Sequence, residues 1–137
     1  MSYYAVIDTN VIVSSLLKHD SIPGLIMDFV LSKTIVPVLN QEILDEYHDV
    51  LVRNKFGFNE RDVDKLIANI KETGIFLARE QTFEDFIDED DIVFYEIVMS
   101  ARNTMDAYLI TGNIKHYPVR NYVVTPKQMI DIIQQNR

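Results

Sequence analysis

Tyr3-Tyr4-Ala5-Val6-Ile7-Asp8-Thr9-Asn10 decides how the chain is read. Tyr3–Ile7 is an apolar, β-rich run of strand length. Asp8-Thr9-Asn10 then offers short polar side chains of the kind that cap a helix, which runs on through Leu17. The same alternation continues downstream. Pro23 suits a first helical turn, and apolar residues at helical spacing extend to Leu31. Thr34–Val38 reads as a second strand. Asn40 caps a helix to about Arg53, and Asn59 caps another to about Glu72, which Gly74 stops. Ile75–Ala78 is a third strand, Asp91 to Arg102 a helix, Ala107–Ile110 and Tyr122–Val124 two more strands, and Pro126–Gln134 a last helix. Strands separated by helices of such length need crossover connections. The expected fold class is therefore α/β: three α/β/α layers around a mostly parallel sheet of about five strands, in a single domain of residues 1–137. In such sheets ligands bind beyond the carboxyl ends of the strands. That rule points to Asp8, after the first strand, and to Thr111-Gly112-Asn113, after Ala107–Ile110.

Composition narrows the classes. Hydrophobic residues make up 47% and charged residues 25% of 137 residues, the balance of a globular protein. There is no cysteine, which excludes a disulfide framework and any thiolate metal site and suits a reducing cytoplasm. No apolar run approaches the ~20 residues of a membrane span. The N-terminus has no basic region and reaches Asp8 too early for a signal peptide, so a soluble, cytoplasmic protein is expected, without a membrane partner. The net charge of −8 disfavours an electrostatic grip on nucleic acid. Seven acids and no base lie between Glu80 and Asp91, however, and the rest of the chain carries 13 bases against 14 acids. A basic rim elsewhere is compatible with that balance.

Three acids stand out from the others. Asp8 ends a strand; it is either a helix cap, worth about 1 kcal/mol, or a ligand at the sheet edge. In the helix that follows Asn40, Ile43, Leu44, Tyr47, Val50 and Leu51 form the apolar stripe, and Glu42, Asp45 and Asp49 fall on the solvated face. Glu46 lies at the stripe's edge, either reaching out to water or pointed into a cleft. Asp91 opens a helix that is apolar on every side, where the helix dipole alone would accommodate an acid. Asp88, Glu89 and Asp90 suit capping and loop solvation, yet four consecutive acids repel until a divalent cation joins them. Oxygen-only ligands suit Mg²⁺ or Mn²⁺. His19, His48 and His116 form no zinc pattern and read as surface residues, and with four glycines there is no phosphate loop. Asp8 as a phosphate-accepting nucleophile, as in haloacid-dehalogenase-like phosphatases, would call for Asp-x-Asp-x-Thr, but Asn10 and Ile12 occupy those positions.

Taken in order, these segments resemble the PIN-domain family, in particular members identified as toxins of toxin–antitoxin systems. Asp8-Thr9-Asn10-Val11 after an apolar strand is similar to the family's opening, and Glu42-Ile43-Leu44-Asp45-Glu46-Tyr47 to its second acidic motif, where the acid before the aromatic is the functional one. Asp88-Glu89-Asp90-Asp91-Ile92-Val93-Phe94 resembles the third motif, and Ala107-Tyr108-Leu109-Ile110-Thr111-Gly112-Asn113 fits the fourth. Val124-Thr125-Pro126-Lys127-Gln128-Met129 is similar as well, so the likeness spans nearly the whole chain. The resemblance implies that Asp8, Glu46 and Asp91 ligate Mg²⁺ or Mn²⁺ and carry the hydrolysis of RNA. Thr9, Asn10, Thr111, Asp88, Asp90 and Asn113 are candidate additional site residues. Many relatives have Asp where this chain has Asn113, so a second metal is weakened here unless Asp88 or Asp90 compensates. A PIN fold that binds RNA or protein without cleaving is the alternative. Lys18, Arg53, Lys55, Lys115, His116 and Arg120 are candidates for RNA backbone contacts. The resemblance also implies an antitoxin partner and a homodimer. Phe56-Gly57-Phe58, Phe76, Phe83 and Phe86, near element ends, are where a small core could leave apolar area exposed.

Overall fold

A computed structural model describes residues 2–136. Its five strands are β1 (Tyr3–Ile7), β2 (Ile35–Leu39), β3 (Ile75–Phe76), β4 (Ala107–Ile110) and β5 (Val123–Val124). The six helices are α1 (Thr9–Leu17), α2 (Ile22–Leu31), α3 (Gln41–Leu51), α4 (Glu60–Thr73), α5 (Ile92–Arg102) and α6 (Pro126–Gln135). All strand pairings are parallel, in the order β3-β2-β1-β4-β5. The chain first steps outward from β1 to β2 to β3, then returns over the sheet through α5 and steps the other way from β4 to β5. Helices cover both faces, giving the three-layer α/β/α arrangement. The reversal falls between β1 and β4, whose register pairs Ile7 with Ile110. Asp8 and Thr111 therefore leave the sheet side by side at its topological switch point, where open α/β sheets place their sites.

The core explains the elements. Ala5, Val6 and Ile7 are buried, as are Val38, Leu39, Leu109 and Ile110. A parallel sheet covered on both faces needs strands that are apolar throughout rather than alternating. Residues 92–98 of α5 are almost entirely buried against β1, β2 and β4, as an all-round apolar helix must be. Ser21, Asn40, Asn59 and Thr125 cap their helices through side-chain oxygens, and Thr125 with Gln128 completes a capping box.

Some boundaries differ from the sequence reading. β3 is two residues rather than four because β2 ends at Leu39, where Asn40 starts α3. The Leu77 N–H still reaches the Leu39 carbonyl at 3.0 Å, but Ala78 has no strand beside it. Gly74 stops α4 in extended rather than left-handed backbone. A Cβ there would stand 2.8 Å from the Ile70 carbonyl oxygen and 3.0 Å from that of Pro37. α3 ends at Leu51 and passes into a 3-10 turn, Asn54–Phe56. The segment before α5 is a 3-10 turn, Glu89–Asp91, so Asp91 precedes the helix instead of lying in its first turn. The aromatic residues expected near the surface divide. Phe56 and Phe58 stack on each other at 5.6 Å, and Phe86 meets Tyr95 and Tyr117 edge-on. Phe76 and Phe83 stay exposed. No helix among the described residues is long and apolar enough to cross a membrane.

Candidate functional site

Asp8 occupies the N-cap position of α1, yet its side chain makes no capping bond. The Asp8 backbone N–H joins the sheet by donating to the Ile110 carbonyl at 2.9 Å. Its carboxylate accepts instead from two hydroxyls, Thr111 Oγ1 at 2.8 Å and Tyr117 Oη at 3.1 Å. At 6% exposure it is a buried acid. Burial raises its pKa, and the hydrogen bonds from Thr111 and Tyr117 restrain the rise. The capping role is thus set aside at this residue. Neither Thr9 nor Asn10 takes it over, since the Thr9 hydroxyl hydrogen-bonds Glu46 Oε2 and Asn10 Oδ1 accepts from the Gly112 N–H at 3.1 Å.

Glu46 is brought to the same place by its neighbour in sequence. Tyr47, fully buried, donates its hydroxyl to the Ile7 carbonyl at 2.5 Å, which ties α3 to the end of β1 one residue before Asp8. Glu46, at the edge of the apolar stripe, is half-buried beside Thr9. Its pKa is raised first by burial and then by the charges of Asp90 and Asp8, against the pull of Thr9 and Arg53. Asp91 completes the group. Its Oδ1 lies 3.4 Å from Tyr117 Oη, the hydroxyl that also serves Asp8, and its Oδ2 lies 3.2 Å from His116 Nδ1. Its carboxyl is pushed up to about 6, mainly by burial and then by the charge of Asp8, with Asp88 adding to it and His116 opposing.

Three acids from three distant segments therefore converge, and Glu46 and Asp91 each feel Asp8 and a nearby acid as like charges. Thr111 and Tyr117 both engage Asp8 Oδ2 and Thr9 engages Glu46 Oε2, while Tyr117 and His116 each meet one oxygen of Asp91. Among the described residues no three His, Asp or Glu groups are arranged to hold an ion as they stand.

The remaining candidates separate. Asp88 caps the 3-10 turn through the Asp90 N–H at 3.0 Å, as its sequence position suggested, and both are exposed. Asn113 is exposed, and its N–H donates to Thr111 Oγ1 at 2.9 Å. His116 is not an ordinary surface residue but the partner of Asp91, whereas His19 and His48 lie on the surface near Asp28, Asp49 and Asp64. Arg53 is close enough to act on Glu46. Arg120 pairs with Glu84, and Lys115 is exposed beside His116. Lys55 lies over the Phe56 ring. Lys18 stands at the far end of α1 from Asp8, about 15 Å along the helix.

Two residues of consequence escaped the sequence reading. Tyr117 follows a 3-10 turn, Ile114–His116, in a segment without periodicity, and nothing local marks it. Glu96 was detectable: it is a lone acid within Phe94-Tyr95-Glu96-Ile97-Val98, and a charge in a buried helix requires a partner. Its carboxylate accepts from Arg79 Nε and from the Thr82 N–H, both at 2.7 Å, and Arg79 also reaches Glu42. That network straps residues 77–88, which have neither helix nor strand, along α5 just before Asp91.

With this geometry established, the comparisons with known proteins become informative. A sequence profile of the PIN domain matches residues 4–115. An uncharacterized protein of Methanocaldococcus jannaschii is 28% identical over 141 aligned positions, covering 92% of this chain and 88% of that protein. No solved structure matches the chain.

Proposed function

The chain belongs to the PIN-domain family, whose members are typically nucleases, and we propose that it hydrolyses RNA phosphodiester bonds with Mg²⁺ or Mn²⁺, as the toxin of a toxin–antitoxin pair. The observation that carries this reading is the convergence of Asp8, Glu46 and Asp91 at the switch point of the sheet. A structural protein gains nothing from gathering three carboxylates whose pKa values burial raises, with the charge of Asp8 adding to the rise at Glu46 and Asp91. A divalent cation would turn that repulsion into attraction, and the hard oxygen donors suit Mg²⁺ or Mn²⁺. Asp8, Glu46 and Asp91 would hold it; Asn113 can add only a neutral amide oxygen. A bound ion of this kind supplies a water acidic enough to give hydroxide near neutral pH, and neutralises charge that develops on the phosphate.

The chain's own residues would do the rest. Thr111 and Tyr117 aim the Asp8 carboxylate, Thr9 aims Glu46, and His116 holds Asp91. Arg53 and His116 border the acids, with Lys115 next to His116 in the chain, and Arg53 and Lys115 are the cations suited to seat phosphates. The experiment is direct. Purified protein is incubated with structured and unstructured RNA in MgCl2, MnCl2 or EDTA, alongside Asp8→Asn and Asp91→Asn. We expect cleavage that needs metal and falls by two or more orders of magnitude in either variant. Cleavage undiminished in EDTA would overturn the metal role. Growth arrest on expression of the wild type but not of Asp8→Asn would support the toxin reading.

A second reading has a specific basis in Asn113 and in an Asp8 carboxylate that already accepts from two protein hydroxyls. It is a PIN fold that binds RNA or a partner protein without cutting. RNA binding by the wild type with no cleavage in any metal would favour it.

A further inference from the structure

Tyr117 has two sides. Its hydroxyl sits on Asp8 and Asp91, and its ring helps to line a cavity of about 350 Å³ with Ile114, Pro118, Val119 and Val123 as the apolar part and Lys115 and Arg120 at the rim. A second cavity of about 440 Å³ shares Ile114, Arg120 and Val123 with the first and continues to Asn121, Gln128 and Asp131. Sharing those residues, the two form one trough that begins at Tyr117, the residue whose hydroxyl touches the carboxylates, and continues along α6 past Gln128 and Asp131 to Gln135.

We propose that this trough binds single-stranded RNA nucleotides next to the phosphate at the carboxylate cluster, and that it sets the nucleotide preference of the protein. The inference rests on RNA being the substrate, as argued above. Each part of the trough matches one part of a nucleotide. The apolar half, with Val119 94% exposed and Ile114 37%, offers aliphatic surface to a base face. Lys115 provides positive charge within a chain of net −8, and Arg120, paired with Glu84, adds guanidinium N–H donors beside it. Lys115 makes no ion pair among the described residues, so its charge is available. Asn121, Gln128 and Asp131 provide the donors and acceptors that read base edges. The volume suits one nucleotide or two, not a duplex, which presents stacked bases that cannot enter.

The test uses the full chain in EDTA, so that cutting does not interfere. A single-stranded oligoribonucleotide carrying 4-thiouridine is photo-cross-linked, and the modified peptides are mapped. We expect cross-links within residues 114–128. Ile114→Asp should weaken binding at least tenfold, and Lys115→Glu several-fold, while Leu31→Asp, an exposed apolar position on α2, leaves binding unchanged; thermal melts establish that each variant folds. The same sequence as a duplex should bind much less tightly. Absence of RNA binding, cross-links confined to other segments, or wild-type affinity in both trough variants would overturn the proposal. Failure of the nuclease reading looks different: RNA cross-linked in the trough but never cleaved with Mg²⁺ or Mn²⁺.

Discussion

At the residue scale, the carboxylates at the site carry opposing requirements. Asp91 illustrates the sign. Its pKa is pushed up to about 6 from 3.8, first by burial and then by Asp8, so the folded protein holds this proton more tightly than the unfolded chain does. The associated stability is fully present below about pH 4 and is lost as pH rises through 6, a change of roughly 3 kcal/mol. In EDTA the melting temperature should therefore fall between pH 4.5 and 7.5. Asp91→Asn should flatten that fall and melt higher than the wild type at pH 7.5, because a neutral amide removes a desolvated charge beside Asp8. Differential scanning fluorimetry across that pH range decides it. A variant that melts lower than the wild type at pH 7.5 would contradict the repulsion argument. Tyr117 belongs to the same scale: a hydroxyl whose pKa is driven far up by burial and by Asp8 and Asp91 stays a donor at any pH the fold tolerates.

At the scale of elements, the segment that carries Asp91 has little regular structure of its own. Residues 77–88 are held by side chains: Glu96 to Arg79 and the Thr82 N–H, Tyr95 to Glu84 at 2.7 Å, Arg120 to Glu84, and Phe86 against Tyr95 and Tyr117. Glu96 is the anchor because it is buried and both oxygens are used. Glu96→Gln keeps the shape but turns one acceptor into a donor facing a donor, and leaves Arg79 with the more exposed Glu42 as its remaining charged partner. We expect a loss on the order of 2–3 kcal/mol in urea unfolding, with faster proteolysis confined to residues 77–88. Equal urea midpoints for variant and wild type would show that the strap does not depend on this carboxylate.

For the whole molecule, charge and apolar surface make separate predictions. An ion bound only by the folded state stabilises it by an amount that grows with the logarithm of its free concentration over its Kd. Mn²⁺ should therefore raise the melting temperature, and by more at pH 8 than at pH 5.5, where Asp91 is largely protonated. No shift at either pH at millimolar Mn²⁺ would argue against the carboxylate ligand set. Apolar surface remains at Leu16, Leu17, Ile22 and Leu31 around the ends of α1 and α2, as well as at Phe76 and Phe83. Exposed apolar area of this kind marks association surfaces. Light scattering at micromolar concentration is expected to give about twice the 15.9 kDa of one chain. A mass that stays at 15.9 kDa through a tenfold dilution would exclude the homodimer.

The amino-acid order by itself determined the element sequence, because periodicity, caps and apolar runs are local. β1, α1 and β4 are legible within a residue, and the five parallel strands follow from the lengths of the connections. It also singled out Asp8, Glu46 and Asp91, since each stands where a local rule gave it two readings, cap or ligand, solvent or cleft. Only the tertiary structure decided where each carboxylate points. Nothing in the neighbourhood of Asp8 tells that its carboxylate turns away from its helix to hydroxyls more than a hundred residues later. Tyr117, His116 as a partner of Asp91, and the trough beside them are likewise products of chain reversal at the switch point. Hydrogen-bond partners and cavities arise between segments, and a one-dimensional pattern records only what each segment prefers on its own.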